Sequence, residues 1–331
     1  MGRIVLGVDF FYYWFHRMSH EVNALWAAHI VHHQSEDYNL SVALRQSWFQ
    51  SAFSWFFYLP LALFGFDPIM FLTISSFNTL YQFWIHTRTI GSMGPLEWIL
   101  NTPSHHRVHH GSDPKYLDKN HAGTLIIWDR IFGTFKKEME EPHYGITSPL
   151  KSWNPVWANF HYWRDLFNLA SHAVGWKDKV LVFIKPPGWR PEYLGGFQQP
   201  LEVDSSLYHK YDAKTQKSIH LYLLIQFVMV LAMSTAILFL QNKFNMIQLI
   251  AFAVFVIVSL MNFGGLFEMK EWCVKAEIMR LISLPLCSLL LLQNANFTIL
   301  FSTCLFIAAI SLLYFQIVFS NARKQQPQIN S

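Results

Sequence analysis

Three separated bursts of histidine set the first condition on any fold of this chain. They are His16-x-x-x-His20, His29-x-x-His32-His33 and His106-x-x-His109-His110, with His86 alone between the last two. Neutral imidazole is a common ligand for iron, zinc and copper. Spacings of three and four residues put side chains on one helix face, so each burst reads as a helical group aimed one way. Nine imidazoles exceed the four protein ligands that a tetrahedral zinc accepts, which points to two metal ions in one site. The fold must therefore carry His16 and His110 to a common place. His143, His172, His209 and His220 lack such spacing and read as packed or solvated residues.

That convergence has to happen in or beside a membrane. The chain has 331 residues, 52% hydrophobic and only 14% charged, against about a quarter charged in a soluble domain. Its mean hydropathy is +0.21. Four C-terminal stretches, Leu221–Leu240, Ile247–Phe267, Ile278–Leu292 and Phe297–Phe319, approach the roughly 20 residues that cross a bilayer. The third is short and contains Pro285, so a kinked or re-entrant segment is expected there. Upstream, Trp48–Phe64 and Ile69–Ile85 form an apolar hairpin around Gly65-Phe66-Asp67-Pro68, each arm about 17 residues, the lower limit for a span. Asn78 and Gln82 lie four apart on the second arm, so that face should turn toward protein. The expectation is an all-α, multi-pass integral membrane protein with a His-rich di-metal helical domain.

The hairpin decides whether the bursts can meet. A chain that crosses and returns delivers His86 to the side of His33; a single crossing would leave the bursts on opposite sides. Sixteen of the 25 Lys and Arg fall between Arg88 and Lys217, and positive charge near span ends marks the cytoplasmic side. Lys270, Lys275, Arg323 and Lys324 then fall on that side too, while the opposite loops, 241–246 and 293–296, carry only Lys243. The metal site is expected on the cytoplasmic face, in the endoplasmic reticulum of a eukaryote or the inner membrane of a bacterium.

The domains expected are a metal domain over 1–145 with the hairpin at 48–85, an interfacial aromatic and basic segment over 146–217, four spans over 218–322 and a tail over 323–331. Trp153, Trp157, Trp163, Trp176 and Trp189 suit either the bilayer interface or packing against the metal domain. The net charge of +4 comes without a run of Lys or Arg, which gives nucleic-acid binding no support. Cys273, Cys287 and Cys304 are scattered in apolar sequence and read as packing residues. Residues 1–15 show neither a basic n-region nor a small-residue cleavage site.

A nitrogen-rich donor set disfavours magnesium and calcium, which want oxygen; zinc, copper and iron remain. Here the local sequence adds a resemblance. Asp9-Phe10-Phe11-Tyr12-Tyr13-Trp14-Phe15-His16-Arg17-Met18-Ser19-His20-Glu21, Trp26-Ala27-Ala28-His29-Ile30-Val31-His32-His33 and Thr102-Pro103-Ser104-His105-His106-Arg107-Val108-His109-His110 resemble the three boxes of the fatty acid hydroxylase/sterol desaturase superfamily. Trp128-Asp129-Arg130-Ile131-Phe132-Gly133-Thr134 is similar to its following signature. Ser35-Glu36-Asp37-Tyr38-Asn39-Leu40-Ser41 and Ala43-Leu44-Arg45-Gln46-Ser47 resemble the alkylglycerol monooxygenase branch. The resemblance covers about residues 4–165.

It implies that His16, His20, His29, His32, His33, His106, His109 and His110 ligate two iron ions, with His86 as the isolated histidine between boxes. His105 is an alternative to His106, which the HxxHH pattern favours. Glu21 would orient a ligand imidazole from behind. The implied activity is an iron-dependent monooxygenase: dioxygen and a reduced pterin, tetrahydrobiopterin, hydroxylate the ether-linked carbon of a glyceryl ether, and the product breaks down to aldehyde and glycerol. Other members act on sterols, fatty acids or sphingoid chains, with a ferredoxin or cytochrome b5 as possible electron donor. Two departures stand out. The superfamily usually has spans before the first box, whereas this chain begins about 15 residues ahead of it, so the sequence is N-terminally incomplete or those spans are dispensable. His121 stands where the superfamily tends to have Tyr, and reads as a swap without a ligand role.

Overall fold

The computed structural model describes residues 2–201, 203, 208–213, 215–291 and 297–325, excepting the side chains of 287–291, 297–300 and 321–325. The loop 293–296, the Cys287 side chain and the tail beyond 325 lie outside these. The described residues form helices and two isolated antiparallel bridges, Leu100 with Leu125 and Gly111 with Tyr144, and no strand. They fall into two compact units, residues 1–150 with 158–210, and 151–157 with 211–331. The aromatic segment is thus divided, most of it clustering with the histidine-bearing residues.

The first unit is built on α1 (Gly2–Glu21), which packs against α2 (Asn23–Ala27), α5 (Gln50–Leu63) and α6 (Pro68–Trp84). Ile4 and Val8, four apart on α1, meet Leu61 of α5 in a small apolar core with Tyr58, Met70 and Ile74 around it. Gly7 permits the close approach: a Cβ there would stand 2.7 Å from Leu61 Cδ2. The next turns of the same α1 face bury His16 and His20. Between boxes one and two the chain breaks at Ala28–His29, and α3 (Ile30–His33) carries the adjacent pair. Asn39 then caps α4 (Leu40–Ala43) by accepting the Ser41 N–H at 2.9 Å.

The hairpin has the expected turn. Gly65 adopts φ +76°, a conformation open to glycine at no steric cost. Asp67 caps α6 by accepting the Met70 N–H at 2.9 Å, with Pro68 at the first helical position. The first arm is shorter than expected, 14 residues, and the second has the expected length, 17. At 1.5 Å per residue they measure about 21 and about 25 Å, against about 30 Å of hydrocarbon. Leu63, Ile69, Leu72, Phe77 and Leu80 point outward, whereas Asn78 is buried and accepts from Thr124 Oγ1 at 2.8 Å. The chain goes out and returns, bringing His86 to His32.

The remaining helices of this unit are α7 (Pro103–His109), α8 (Ile127–Ile131), α9 (Pro155–His172) and α10 (Trp176–Ile184). Leu166, Ala170 and Val182 of α9 and α10 pack on Ala27, with Trp163 and Trp189 beside them. Trp163 also meets Phe49 and Phe53, while Trp176 is exposed. Trp163 and Trp189 therefore pack within the histidine-bearing unit.

The second unit contains α11 (Lys217–Phe239), α12 (Met246–Phe267), α13 (Trp272–Leu291) and α14 (Phe297–Gln325). Three helical segments, 217–239, 246–267 and 301–320, are long and apolar enough to cross a membrane. With the first unit's apolar hairpin, this describes an all-α integral membrane protein. The third of the four expected spans, 278–292, falls up to residue 291 within α13, which starts earlier and carries Lys275, Glu277 and Arg280, so it lacks the apolar composition of the other three among the described residues. Of these charges Lys275 is exposed and the other two are not. Glu277 and Arg280 are buried and paired, with Arg280 Nε 2.9 Å from Glu277 Oε2. Tyr222 and Asn262 donate to the Glu277 carboxylate, and Arg280 donates to Gln226 Oε1, which sits on the same amide that donates to Ser311. One polar knot therefore ties α11, α12, α13 and α14. Removing one partner of a buried ion pair costs about 3–5 kcal/mol, whereas replacing both by apolar groups is often neutral. Arg280→Met should lower thermal stability of the detergent-purified chain by about that amount, and Glu277→Leu/Arg280→Met should recover most of it.

Candidate metal centre

The nine histidines of the pattern gather into two buried clusters. His16, His20, His29, His33 and His109 place one nitrogen each within 4.8 Å of one another, and His32, His86, His106 and His110 do the same. Helical spacing does the sorting. In the second box His29 and His33, four apart, serve one cluster and His32 the other. In the third, His106 and His110, four apart, serve the second cluster and His109 the first. The clusters adjoin through stacked His33 and His110, whose ring centroids are 4.3 Å apart.

The outward nitrogens fix which face of each ring is bare. His16 Nδ1 lies 2.8 Å from His121 O, His32 Nδ1 3.1 Å from Arg45 O, His86 Nδ1 2.7 Å from Gln82 O and His109 Nδ1 3.0 Å from Lys119 O. His29 Nδ1 lies 2.9 Å from Gln50 Oε1. These oxygens only accept, so each Nδ1 carries the proton and each Nε2 is left with a lone pair. In each cluster two such bare nitrogens then face each other: His16 and His29 at 3.1 Å, His32 and His86 at 3.2 Å. Neither member of either pair has a proton to share.

Protonation does not relieve the conflict. Burial pushes His29 down to about 3 and His86 to about 4. Burial, with the neighbouring imidazoles adding to it, holds His16, His32, His33, His106, His109 and His110 well below the ordinary imidazole value. Neutral, inward-facing lone pairs that repel each other in a buried site are the donor set of a metal cation. Borderline nitrogen donors of this kind fit iron, and the residues present fit two ions.

Several residues that hold this geometry carry no ligand-like spacing. Arg45 donates to Val31 O and Gln34 Oε1 at 2.8 Å each, tying its own carbonyl, the acceptor for His32, to α3. Tyr38 stacks on Tyr144 and lies against His86 and His110, with its hydroxyl donating to Ile85 O at 3.3 Å. Asp129 accepts the N–H groups of His121 and Ala122 at 2.8 Å and the Thr134 hydroxyl at 2.6 Å; burial raises its carboxyl to about 6. Asp9 accepts from the Thr124 and Leu125 N–H groups and from Trp128 Nε1. The Trp128–Thr134 signature thus clamps the loop whose carbonyls face the metal ligands. Gln50, Arg45 and Asp129 leave no trace in histidine spacing, although two of the three lie in stretches that the family resemblance singles out.

Three further residues are placed by the structure. His105 is buried outside both clusters and caps its own helix: its Nδ1 accepts the Thr102 N–H at 3.4 Å. Glu21 accepts from Arg17 Nε at 2.8 Å and makes no hydrogen bond to an imidazole among the described residues. Arg17 in turn donates to the Tyr13 hydroxyl. His121 is fully buried beside the five-histidine cluster.

With this geometry the comparisons agree. Residues 1–134 match the family model described as fatty acid hydroxylase. Alkylglycerol monooxygenase of Homo sapiens is 45% identical over 276 residues, 83% of this chain and 61% of the relative. That of Xenopus tropicalis is 43% identical over 276 residues, 83% of this chain and 62% of the relative. An ornithine lipid hydroxylase of Rhizobium tropici is 31% identical over 149 residues, 40% of this chain and 41% of the relative. The chain spans about three fifths of the length of the alkylglycerol monooxygenases it matches. No solved structure matches it significantly. The fatty acid hydroxylase match thus falls on residues 1–134, the part of the chain that holds all nine clustered histidines.

Proposed function

We propose that the chain is a di-iron monooxygenase that hydroxylates the ether-linked carbon of a glyceryl ether. The observation that carries the metal reading is the pair of facing, proton-free nitrogens in each cluster. The substrate reading rests on the similarity to alkylglycerol monooxygenases over most of this chain. His16, His20, His29, His33 and His109 hold one ion, and His32, His86, His106 and His110 the other. Bound iron supplies the activation of dioxygen for attack on an unreactive C–H bond.

The chain's own residues supply the rest. The carbonyls of Gln82, Arg45, Lys119 and His121 and the Gln50 amide keep the donor rings aimed inward with the proton outward, so the site is organised before the ions arrive. Such outer partners are worth about 10–100-fold in metal affinity. Burial of every donor ring keeps water from competing. One oxygen atom enters the C–H bond and the other leaves as water. The two electrons come from a reduced pterin, and the resulting hemiacetal breaks to an aldehyde and glycerol. The outward apolar residues of α5 and α6 set this chemistry beside the bilayer, from which a lipid substrate would arrive. The basic residues between Arg88 and Lys217 favour the cytoplasmic side. Glu21, through Arg17 and Tyr13, supports α1 behind His20 and His16. A second reading, hydroxylation of another polar lipid, is favoured by the ornithine lipid hydroxylase match.

Anaerobic reconstitution of the purified chain should give about two irons per chain; fewer than about one ends the di-iron reading. Oxygen- and pterin-dependent release of fatty aldehyde from a glyceryl ether should follow, and turnover only with a ferredoxin or cytochrome b5 donor would favour the second reading. His32→Ala should abolish turnover while membrane insertion persists, and undiminished activity would remove the second box from the site. Gln50→Ala should weaken binding of one ion by about 10–100-fold, measured by chelator competition.

A further inference from the structure

His121 is fully buried, and neither ring nitrogen meets a partner with hydrogen-bond geometry. A buried polar group left without a partner costs about 1–3 kcal/mol, and a phenyl ring could occupy similar space without that cost. Its ring centroid lies 5.1 Å from His20, 5.7 Å from His109 and 5.9 Å from His16. Those spacings resemble the 5.4 Å between His16 and His20 and the 5.3 Å between His20 and His29. His121 therefore stands at the His16–His20–His109 edge of the cluster, a little farther overall from those rings than the 4.3–5.4 Å that separates them from one another.

The backbone holds it there at some expense. Asp118 and Asn120 both adopt left-handed conformations, φ 54° and 56°, which Asp and Asn tolerate better than other non-glycine residues. Asn120 is fully buried and donates to His105 O at 3.0 Å and Lys136 O at 2.7 Å, while its Oδ1 accepts the Lys136 N–H at 2.8 Å. The His121 N–H is fixed on Asp129. The ring cannot drift from the cluster without undoing this turn.

The imidazole it approaches most closely, His20, lacks an outward acceptor within hydrogen-bond range. His16, His29 and His109 have outward acceptors at 2.8, 2.9 and 3.0 Å. His20 Nδ1 has only the Asp118 carboxylate at 3.6 Å, beyond hydrogen-bond range, on a side chain 57% exposed. We propose that His121 is a reserve ligand of the five-histidine cluster, able to take that cluster's ion in place of His20. This rests on the two-ion reading above.

The test is cobalt(II) binding by the purified full chain in detergent under anaerobic conditions, with stoichiometry and the ligand-field spectrum as readouts. Wild type, His20→Ala, His121→Phe and His20→Ala/His121→Phe are compared, with His121→Asn as a second probe if the phenylalanine disturbs folding. Wild type and His121→Phe should hold two ions. His20→Ala should still hold two, one of them about 10–100-fold weaker, with an altered spectrum. The double variant should bind that ion more weakly still than His20→Ala alone, with a further change in the spectrum. A His20→Ala chain that already holds a single ion overturns the proposal, as does one whose second ion is unaffected by adding His121→Phe or His121→Asn. A wild type that binds no ion overturns the metal reading and this proposal with it.

Discussion

Mutual repulsion between unprotonated imidazole nitrogens is the interaction around which the first unit is arranged. His16 against His29, and His32 against His86, are arrangements that a folded chain would avoid unless a cation lay between them. Burial removes the alternative of protonation. On the two-ion reading, the energy stored in bringing these groups together would be returned when metal binds, which would link folding to metal binding. The clusters are organised through packing elsewhere: Ile4, Val8 and Leu61 set α1 against the hairpin, and Asp9 and Asp129 hold the loop from His121 to Leu125.

The supporting oxygens come mostly from the backbone, and this has a chemical reason. A carbonyl can only accept, so it enforces one tautomer, whereas a hydroxyl or water could point either way. Main-chain acceptors also cannot be removed by a single side-chain change. Their positions depend on turns, notably the left-handed Asp118 and Asn120, and on side chains such as Arg45 that pin those turns from the far side.

How much of this was legible in the sequence differs by level. The nine clustered histidines follow from spacing, because helical periodicity sorts i and i+4 together without knowledge of the rest of the fold. The hairpin follows from its apolar arms and the Gly65–Pro68 turn, since both signals are local. The length of its first helix did not, because that arm includes Trp48 and Phe49, which lie outside the helix. The charged start of α13 misled in a similar way. A window centred on residues 278–292 sees leucine and passes over Glu277, whose partners Tyr222 and Asn262 are far away in sequence. The HxxHH spacing favours His106 over His105, and the capping role of His105 gives the physical reason. Gln50 and Arg45 act on atoms 11 to 21 residues away and Asp129 on atoms five to eight away, across turns that no helical period links, and the placement of His121 depends on a turn conformation that composition does not encode.

The polar knot of the second unit also bears on the order in which the helices assemble. Synthesis runs from α11 to α14, so Tyr222, Gln226 and Asn262 are already made when Glu277 and Arg280 emerge. The two charges, three residues apart, form a neutral pair within their own helix and find donors and an acceptor waiting on the two preceding helices. Ser311 closes the network last. A helix too polar to partition into lipid on its own thus acquires its neighbours before it must leave water, and its stable burial is a property of the nascent group of helices instead of α13 alone.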